Sequence, residues 1–196
     1  QGDAESVLPV HAKYGDDFVH HLNGMYALAL YEKKSHQLIL VRDRLGVKPL
    51  YWAKLSGGGI VFASEIKALL ATGLIEAKIN ENAVSDYLSY GYVPSPKTLF
   101  TGIQKLPPAH RLTVDASGSI SSDCYWRRSQ LTEIPTDEVE LKTHLLDLLE
   151  DSVRLQMRSD VPVGALLSGG IDSGLLVALA ARHSSQPINT FTVSFE

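Results

Sequence analysis

Cysteine is almost missing from this chain of 196 residues: Cys124 is the only one. No internal disulfide can form, and the composition suits a reducing compartment, so a cytoplasmic location is expected. Long apolar runs are missing too, and none approaches the roughly 18 residues that a membrane-spanning helix requires. Lys and Arg nowhere gather into a dense patch, and the net charge is −4. That balance argues against nucleic acid or an anionic membrane as partner, since both demand concentrated positive charge. The seven histidines show no metal-ligand spacing, His20-His21 pointing to opposite sides. The lysine-bearing phosphate loop Gly-x4-Gly-Lys-Ser/Thr is lacking as well. Counted from Gly164, its lysine position holds Gly170 and its hydroxyl position Ile171, which removes the main support for a kinase-like or GTPase-like reading. An initiator methionine is absent: the chain opens on Gln1-Gly2-Asp3 and closes on Phe195-Glu196. It is therefore read as an internal piece of a longer protein.

What is present is an ordinary globular composition, 44% apolar and 20% charged, with length for one large domain or one domain and part of another. Residues 5–22 read as helix in two pieces, divided at Gly15, with Pro9 an awkward guest in the first. Runs from Met25 to Tyr31 and from Leu38 to Val41 flank a polar turn, a hairpin signal. Leu50 to Lys54 and Ile60 to Ala63 repeat it around Ser56-Gly57-Gly58-Gly59. Four short strands so close together imply an antiparallel sheet rather than βαβ units. A short helix is expected over Glu65 to Ala71, and a second over Glu81 to Tyr90 with Asn80 as N-cap. A third hairpin spans His110 to Val114 and Ser119 to Trp126, and residues 127–136 read as a linker.

Beyond it the pattern changes. Leu141, Leu145, Leu148, Leu149, Val153 and Met157 fall on one helical face. A strand from Val163 to Leu167, a glycine loop, a helix from Gly174 to Arg182 and a strand from Ile188 to Phe195 follow. That order is a βαβ unit and opens a parallel sheet.

The loop Ser168-Gly169-Gly170-Ile171-Asp172-Ser173 carries the chemistry. Between a buried strand and a helix, its backbone N–H groups face the positive helix end, where an anion is welcome. Gly169 and Gly170 let that anion approach the backbone, and the Ser168 and Ser173 hydroxyls can donate to phosphate oxygens. Asp172 would repel a phosphate unless a cation lay between them, so it reads as a Mg²⁺ ligand. The bland alternative is a plain glycine turn with Asp172 as a helix-start residue.

Ser-Gly-Gly-x-Asp-Ser after a buried strand resembles the loop of ATP pyrophosphatases, which cleave ATP to AMP and pyrophosphate. Upstream, Asp3-Ala4-Glu5, Leu22-Asn23-Gly24-Met25-Tyr26-Ala27, Arg42-Asp43-Arg44-Leu45-Gly46-Val47-Lys48-Pro49-Leu50-Tyr51 and Ala63-Ser64-Glu65-Ile66-Lys67-Ala68-Leu69 resemble glutamine-hydrolysing asparagine synthetase. Lys105-Leu106-Pro107-Pro108 and Asp160-Val161-Pro162-Val163-Gly164 continue the likeness in order. The resemblance implies the C-terminal half of a layered αββα amidotransferase domain over residues 1–130. After it, over residues 136–196, comes the start of a parallel-sheet adenine-nucleotide-binding domain. The fold class is thus α+β followed by α/β.

It further implies that glutamine, aspartate and ATP are the small-molecule substrates. ATP with Mg²⁺ would adenylate aspartate, and ammonia from glutamine would attack the adenylate. Asp3 matches the carboxylate that holds the α-amino group of glutamine. Leu167 and Val193 match positions contacting adenosine, and Ser168, Gly169, Gly170, Asp172 and Ser173 match the pyrophosphate loop. The nucleophilic cysteine is expected before Gln1, so no catalytic nucleophile is expected here and the piece alone should be inactive. Ala4 stands where threonine or cysteine is more usual, and Pro9 interrupts a helix the family continues. A relative acting on another acid, or a non-catalytic regulatory relative, are the alternatives; the oligomeric state is open, a homodimer among the options.

Other conspicuous residues have bland readings. Arg42 and Asp43 read as a charged pair bracing a strand end and the turn at Gly46. Glu65 and Lys67 read as solvated or bracing, and Cys124 as a structural thiol. Tyr90, Tyr92 and Trp126 read as domain-interface packing rather than ligand stacking.

Overall fold

A computed structural model describes residues 3–128 and 137–194. The linker expected at 127–136 therefore lies mostly outside the described residues, as does Phe195. The chain divides into two compact units, residues 1–129 and 130–196.

The first unit begins with a 3-10 turn (Asp3–Ser6), helix α1 (Val7–Tyr14) and a second 3-10 stretch (Gly15–His21). Pro9 proves no intruder. It is the third residue of α1, just past the point where the 3-10 turn of Asp3–Ser6 passes into the α-helix. Strands β1 (Ala27–Glu32), β2 (Gln37–Arg42), β6 (His110–Val114) and β7 (Ile120–Cys124) form one antiparallel sheet in the order β1-β2-β6-β7. Strands β3 (Tyr51–Lys54), β4 (Ile60–Ala63) and β5 (Ile103–Lys105) form another, ordered β4-β3-β5. The first two hairpins thus sit in different sheets, not in one as their spacing suggests.

Three apolar clusters stack these parts into layers. Phe18 and Val19, with Val7 and Val10 of α1, pack on Leu30, Ile39 and Val41. On the opposite face of β2, Leu40 and Leu112 meet Trp52 of the second sheet and Leu50 and Leu106, which flank its strands. Behind that sheet, Ala53 and Ile103 pack against Leu69 and Leu70 of α2 (Ile66–Ala71). The result is helix, sheet, sheet, helix. Because β2 is covered on both faces, Ile39, Leu40 and Val41 are all 1% exposed or less, and the strand is apolar throughout rather than alternating. Helix α3 (Glu81–Tyr90) ends at Gly91 in the left-handed conformation. Asn80 occupies its cap position by backbone only; its side-chain amide instead donates to the Thr98 carbonyl at 3.3 Å.

The turn between β2 and β3 is held from inside. The Arg42 guanidinium donates to the carbonyls of Lys48 (2.8 Å), Leu106 (2.7 Å) and Gly46 (2.7 Å). Asp43, 1% exposed, accepts the N–H groups of Leu45 (3.2 Å), Val47 (2.9 Å) and Lys48 (2.9 Å). The two side chains brace the turn as their sequence suggests, but through backbone groups rather than through each other. Gly46 sits at φ +66°, and a Cβ there would lie 2.7 Å from Pro108 Cγ and 3.1 Å from Arg42 Cζ. Gly46→Ala is expected to destabilise this unit by about 2–3 kcal/mol, from left-handed strain plus overlap with a ring that cannot swing away. A urea melt followed by tryptophan fluorescence reads this, and an unchanged midpoint would contradict it.

In the second unit, helix α4 (Glu138–Gln156) starts at Asp137, whose carboxylate accepts the Glu140 N–H at 2.8 Å. Its Leu141, Leu145 and Leu148 stripe is exposed, and no residue of the helix is buried. Strand β8 (Gly164–Leu166), helix α5 (Ile171–Arg182) and strand β9 (Asn189–Phe191) follow. β8 and β9 pair in parallel, Ala165 opposite Thr190, as the βαβ order requires. Both strands are shorter than their apolar runs, and α5 begins three residues before Gly174. Glu150 ties α4 to α5 through Arg182 (3.5 Å) and His183 (3.3 Å). No helix among the described residues is long and apolar enough to cross a membrane.

Candidate functional site

The glycine loop joins β8 to α5. Gly169 has φ +81°, a left-handed conformation that a side chain would strain. Gly170 occupies the N-cap position without a side chain, and the first helical bond runs from the Gly174 N–H to its carbonyl at 3.0 Å. The amides of residues 171–173 precede that bond and have no carbonyl a turn back to receive them, so they converge on the loop mouth. The Ser168 and Ser173 hydroxyls lie 3.0 Å apart across the loop. Ser173 Oγ also accepts the Ser168 N–H (3.3 Å) and donates to the Gly170 carbonyl (3.1 Å). Ser168 Oγ accepts the Gly170 N–H at 3.4 Å. The two hydroxyls therefore cross-link the loop, a role beside the ligand contact that spacing alone suggests.

Asp172 sits exposed in the first turn of α5. Among the described residues its carboxylate has no hydrogen-bond or ion-pair partner. Gly170 rather than Asp172 holds the cap, so within the helix Asp172 has only a dipole contact. An exposed carboxylate in the first turn of the helix that follows the loop is of the kind that could hold a magnesium ion, because Mg²⁺ keeps several waters and takes only one or two carboxylates. Among the described residues no group of three or more His, Cys, Asp or Glu is placed to hold a metal ion.

Of the two positions matched to adenosine, Leu167 is bonded to the residues just before Val193 at one end of the small sheet. The Leu167 N–H donates to the Phe191 carbonyl at 2.9 Å, and the Thr192 hydroxyl donates to the Leu167 carbonyl at 2.6 Å. Val193, next in the chain, is 79% exposed. Both thus stand beside the loop's root. Gly164 lets β9 approach, since a Cβ there would lie 2.9 Å from the Phe191 ring.

Asp3 belongs to the other unit. It opens the first 3-10 turn, and its side chain lies outside what the structure describes. The turn borders a cavity of about 630 Å³ whose wall includes Ala4, Leu22, Met25, Tyr26, Lys48 and Ser64. Sequence reasoning picked out several of these segments but not the cavity they share. It also missed a tyrosine pair. The Tyr125 hydroxyl donates to the Arg42 carbonyl at 2.7 Å, and the Tyr26 hydroxyl lies 3.0 Å from Tyr125 Oη. Burial pushes both phenols above the ordinary tyrosine value, so both stay protonated through the neutral range. Cys124 is half-buried, its thiol donating to the Trp126 carbonyl at 3.1 Å. Tyr90 and Tyr92 are 63% and 61% exposed in their unit.

Comparison with known proteins adds two matches along the chain. A glutamine amidotransferase domain family matches residues 1–126, and asparagine synthase matches residues 144–196. Asparagine synthetase [glutamine-hydrolyzing] 1 of Bacillus subtilis is 36% identical over 195 residues, covering 99% of this chain and 30% of the relative. Putative asparagine synthetase [glutamine-hydrolyzing] 2 of Methanocaldococcus jannaschii is 37% identical over 198 residues, covering 99% of this chain and 38% of its own length. Amidase chry2 of Gibberella zeae is 31% identical over 187 residues, covering 94% and 27%. The chain therefore spans about a third of the length of these relatives.

Proposed function

The chain belongs to the glutamine amidotransferase domain family, in its asparagine synthetase branch, and from that premise we propose that the whole protein makes asparagine. Glutamine and water would give glutamate and ammonia. Aspartate and ATP would give β-aspartyl-AMP and pyrophosphate, and ammonia would then displace AMP to form the amide. The observation carrying the synthetase half is the loop: two serine hydroxyls framing two glycines at a helix start, beside a carboxylate without a partner.

In this reading Ser168, Gly169, Gly170 and Ser173, with the first amides of α5, bind the pyrophosphate portion of ATP. The hydroxyls bond within the loop, so in this reading they would exchange those bonds for phosphate oxygens, while the first amides of α5 stand at the helix start already directed toward an anion. Leu167 and Val193 would contact adenosine. Asp172 would hold Mg²⁺, whose chemistry is to neutralise phosphate charge and align the leaving group. Asp3 would hold the α-amino group of glutamine at the cavity of the first unit. A cytoplasmic setting agrees with the lone thiol.

A second reading concerns only the acid. The likeness to an amidase keeps open an acceptor other than aspartate. Pyrophosphate release by the full-length enzyme, measured with Mg-ATP and a panel of carboxylic acids, separates the two. Aspartate is expected to be the one acid that supports release and, with glutamine added, yields its amide. Release with a different acid alone would transfer the assignment to that acid, and no release with any would overturn the adenylation reading.

A further inference from the structure

Four asparagines occur in the chain, and only Asn23 is followed by glycine. That pair is the one most prone to close on itself. With no Cβ on the second residue, its backbone nitrogen reaches the asparagine side-chain carbon unhindered. A fold permits the reaction where the backbone is not held in a ladder, the reacting groups are unengaged and water has access. All three conditions are met here. Residues 22–25 lie outside any helix or strand, between the 3-10 stretch Gly15–His21 and β1. Among the described residues, neither the Asn23 side-chain amide nor the Gly24 N–H has a hydrogen-bond partner. Both residues are exposed, and a Cβ built at Gly24 would meet nothing within 4 Å. The other three asparagines are placed differently. Asn80 donates to the Thr98 carbonyl at 3.3 Å and precedes Glu81, Asn82 lies inside α3, and Asn189 opens β9 before the β-branched Thr190.

We propose that Asn23-Gly24 is a self-modification site whose co-reactant is water. A base takes the Gly24 amide proton, and the freed nitrogen attacks Asn23 Cγ. The Cγ–Nδ2 bond breaks, and the side-chain nitrogen leaves as ammonia with a proton supplied by water. Water then opens the five-membered succinimide. Cleavage at Cγ leaves aspartate, and cleavage at the main-chain carbonyl leaves isoaspartate, with the chain running through the side chain. One water is taken up and one ammonia released, and nothing is oxidised or reduced. Asn23 and Gly24 line the cavity of the first unit, where Lys48 is the one charged residue among the described residues that line it. The new carboxylate offsets that charge, so the lining passes from one net positive charge to none as the molecule ages. The site stands apart from the reaction proposed above and does not depend on it.

The test follows the full-length protein through prolonged incubation in mildly alkaline buffer. Peptide mass spectrometry reads each asparagine, and enzymatic methylation of the freed α-carboxyl scores isoaspartate. Asn23 is expected to gain one mass unit at least about tenfold faster than Asn80, Asn82 and Asn189, which react only from locally opened states. The same protein held unfolded in urea separates the fold's part from the sequence's. Because the fold leaves the pair unengaged, the folded rate at Asn23 should be at least about a tenth of the unfolded one. Asn23→Gln, whose closure needs a six-membered ring, should abolish the mass gain at that position and most of the isoaspartate. A smaller lead over the other asparagines, or a lower folded fraction, would overturn the proposal. So would an isoaspartate signal undiminished in Asn23→Gln, which would place the reaction elsewhere in the chain.

Discussion

Asp172→Ala in the full-length protein is expected to lower ATP–pyrophosphate exchange by at least about a hundredfold, the loss that follows removal of one group stabilising transition-state charge. Glutamine hydrolysis should stay within about twofold, since Asp172 lies in the unit whose likeness is to asparagine synthase. The argument rests on electrostatics. Without a cation, a carboxylate at the mouth of a phosphate cradle raises the free energy of the bound nucleotide. If Asp172 were only a helix-start residue, its removal would forfeit a dipole contact of about 0.3–1 kcal/mol and leave exchange intact. Asp172→Asn tests charge against shape: it keeps the size, removes the ligand charge and should resemble alanine. Exchange at wild-type rate in either variant sinks the assignment of the loop.

The second large effect is on stability. Asp43→Ala is expected to cost about 2–3 kcal/mol, because it removes the buried acceptor that three backbone N–H groups of the turn share. The carboxylate is 1% exposed and receives Leu45, Val47 and Lys48 together. Asp43→Asn keeps one acceptor oxygen and should lose about half as much. Urea unfolding of the full-length protein, followed by the fluorescence of Trp52 and Trp126, reads the first unit's transition. A fall below about 1 kcal/mol for alanine would mean water reaches the turn and the bracing is idle.

The fold was legible where the signal was local. Apolar runs bounded by glycine or polar turns marked the three hairpins of the first unit, and Gly91 marked the end of α3. Sheet membership was not legible. β2 and β3 are neighbours in sequence, yet β2 joins β6 and β3 joins β5, and that choice depends on which distant strand each apolar face meets. Ile103-Gln104-Lys105 is too short to show alternation, so β5 escaped notice. Pro9 was read as an awkward guest because the sequence does not show the 3-10 turn that leads into α1, and helix starts are an uncertain boundary in a sequence.

The loop was legible for the opposite reason: glycine, serine and aspartate at fixed offsets carry their own chemistry. Its internal hydroxyl pairing was not, nor was the Tyr26–Tyr125 contact, whose partners are 99 residues apart. The exposed stripe of α4 was read as a packing face from its spacing, and spacing cannot say what covers it.

The guanidinium that pins the turn after β2 has a consequence during synthesis. Arg42 donates to the Leu106 carbonyl, 64 residues further along the chain. On a ribosome adding roughly 5–20 residues per second, that acceptor emerges several seconds after the donor. Through that interval the first hairpin is out while the far edge of its inner strand is bare, a template for stray pairing with other nascent chains. The polypeptide is thus most vulnerable between the emergence of β2 and that of β6, and crowded polysomes are where misassembly would begin.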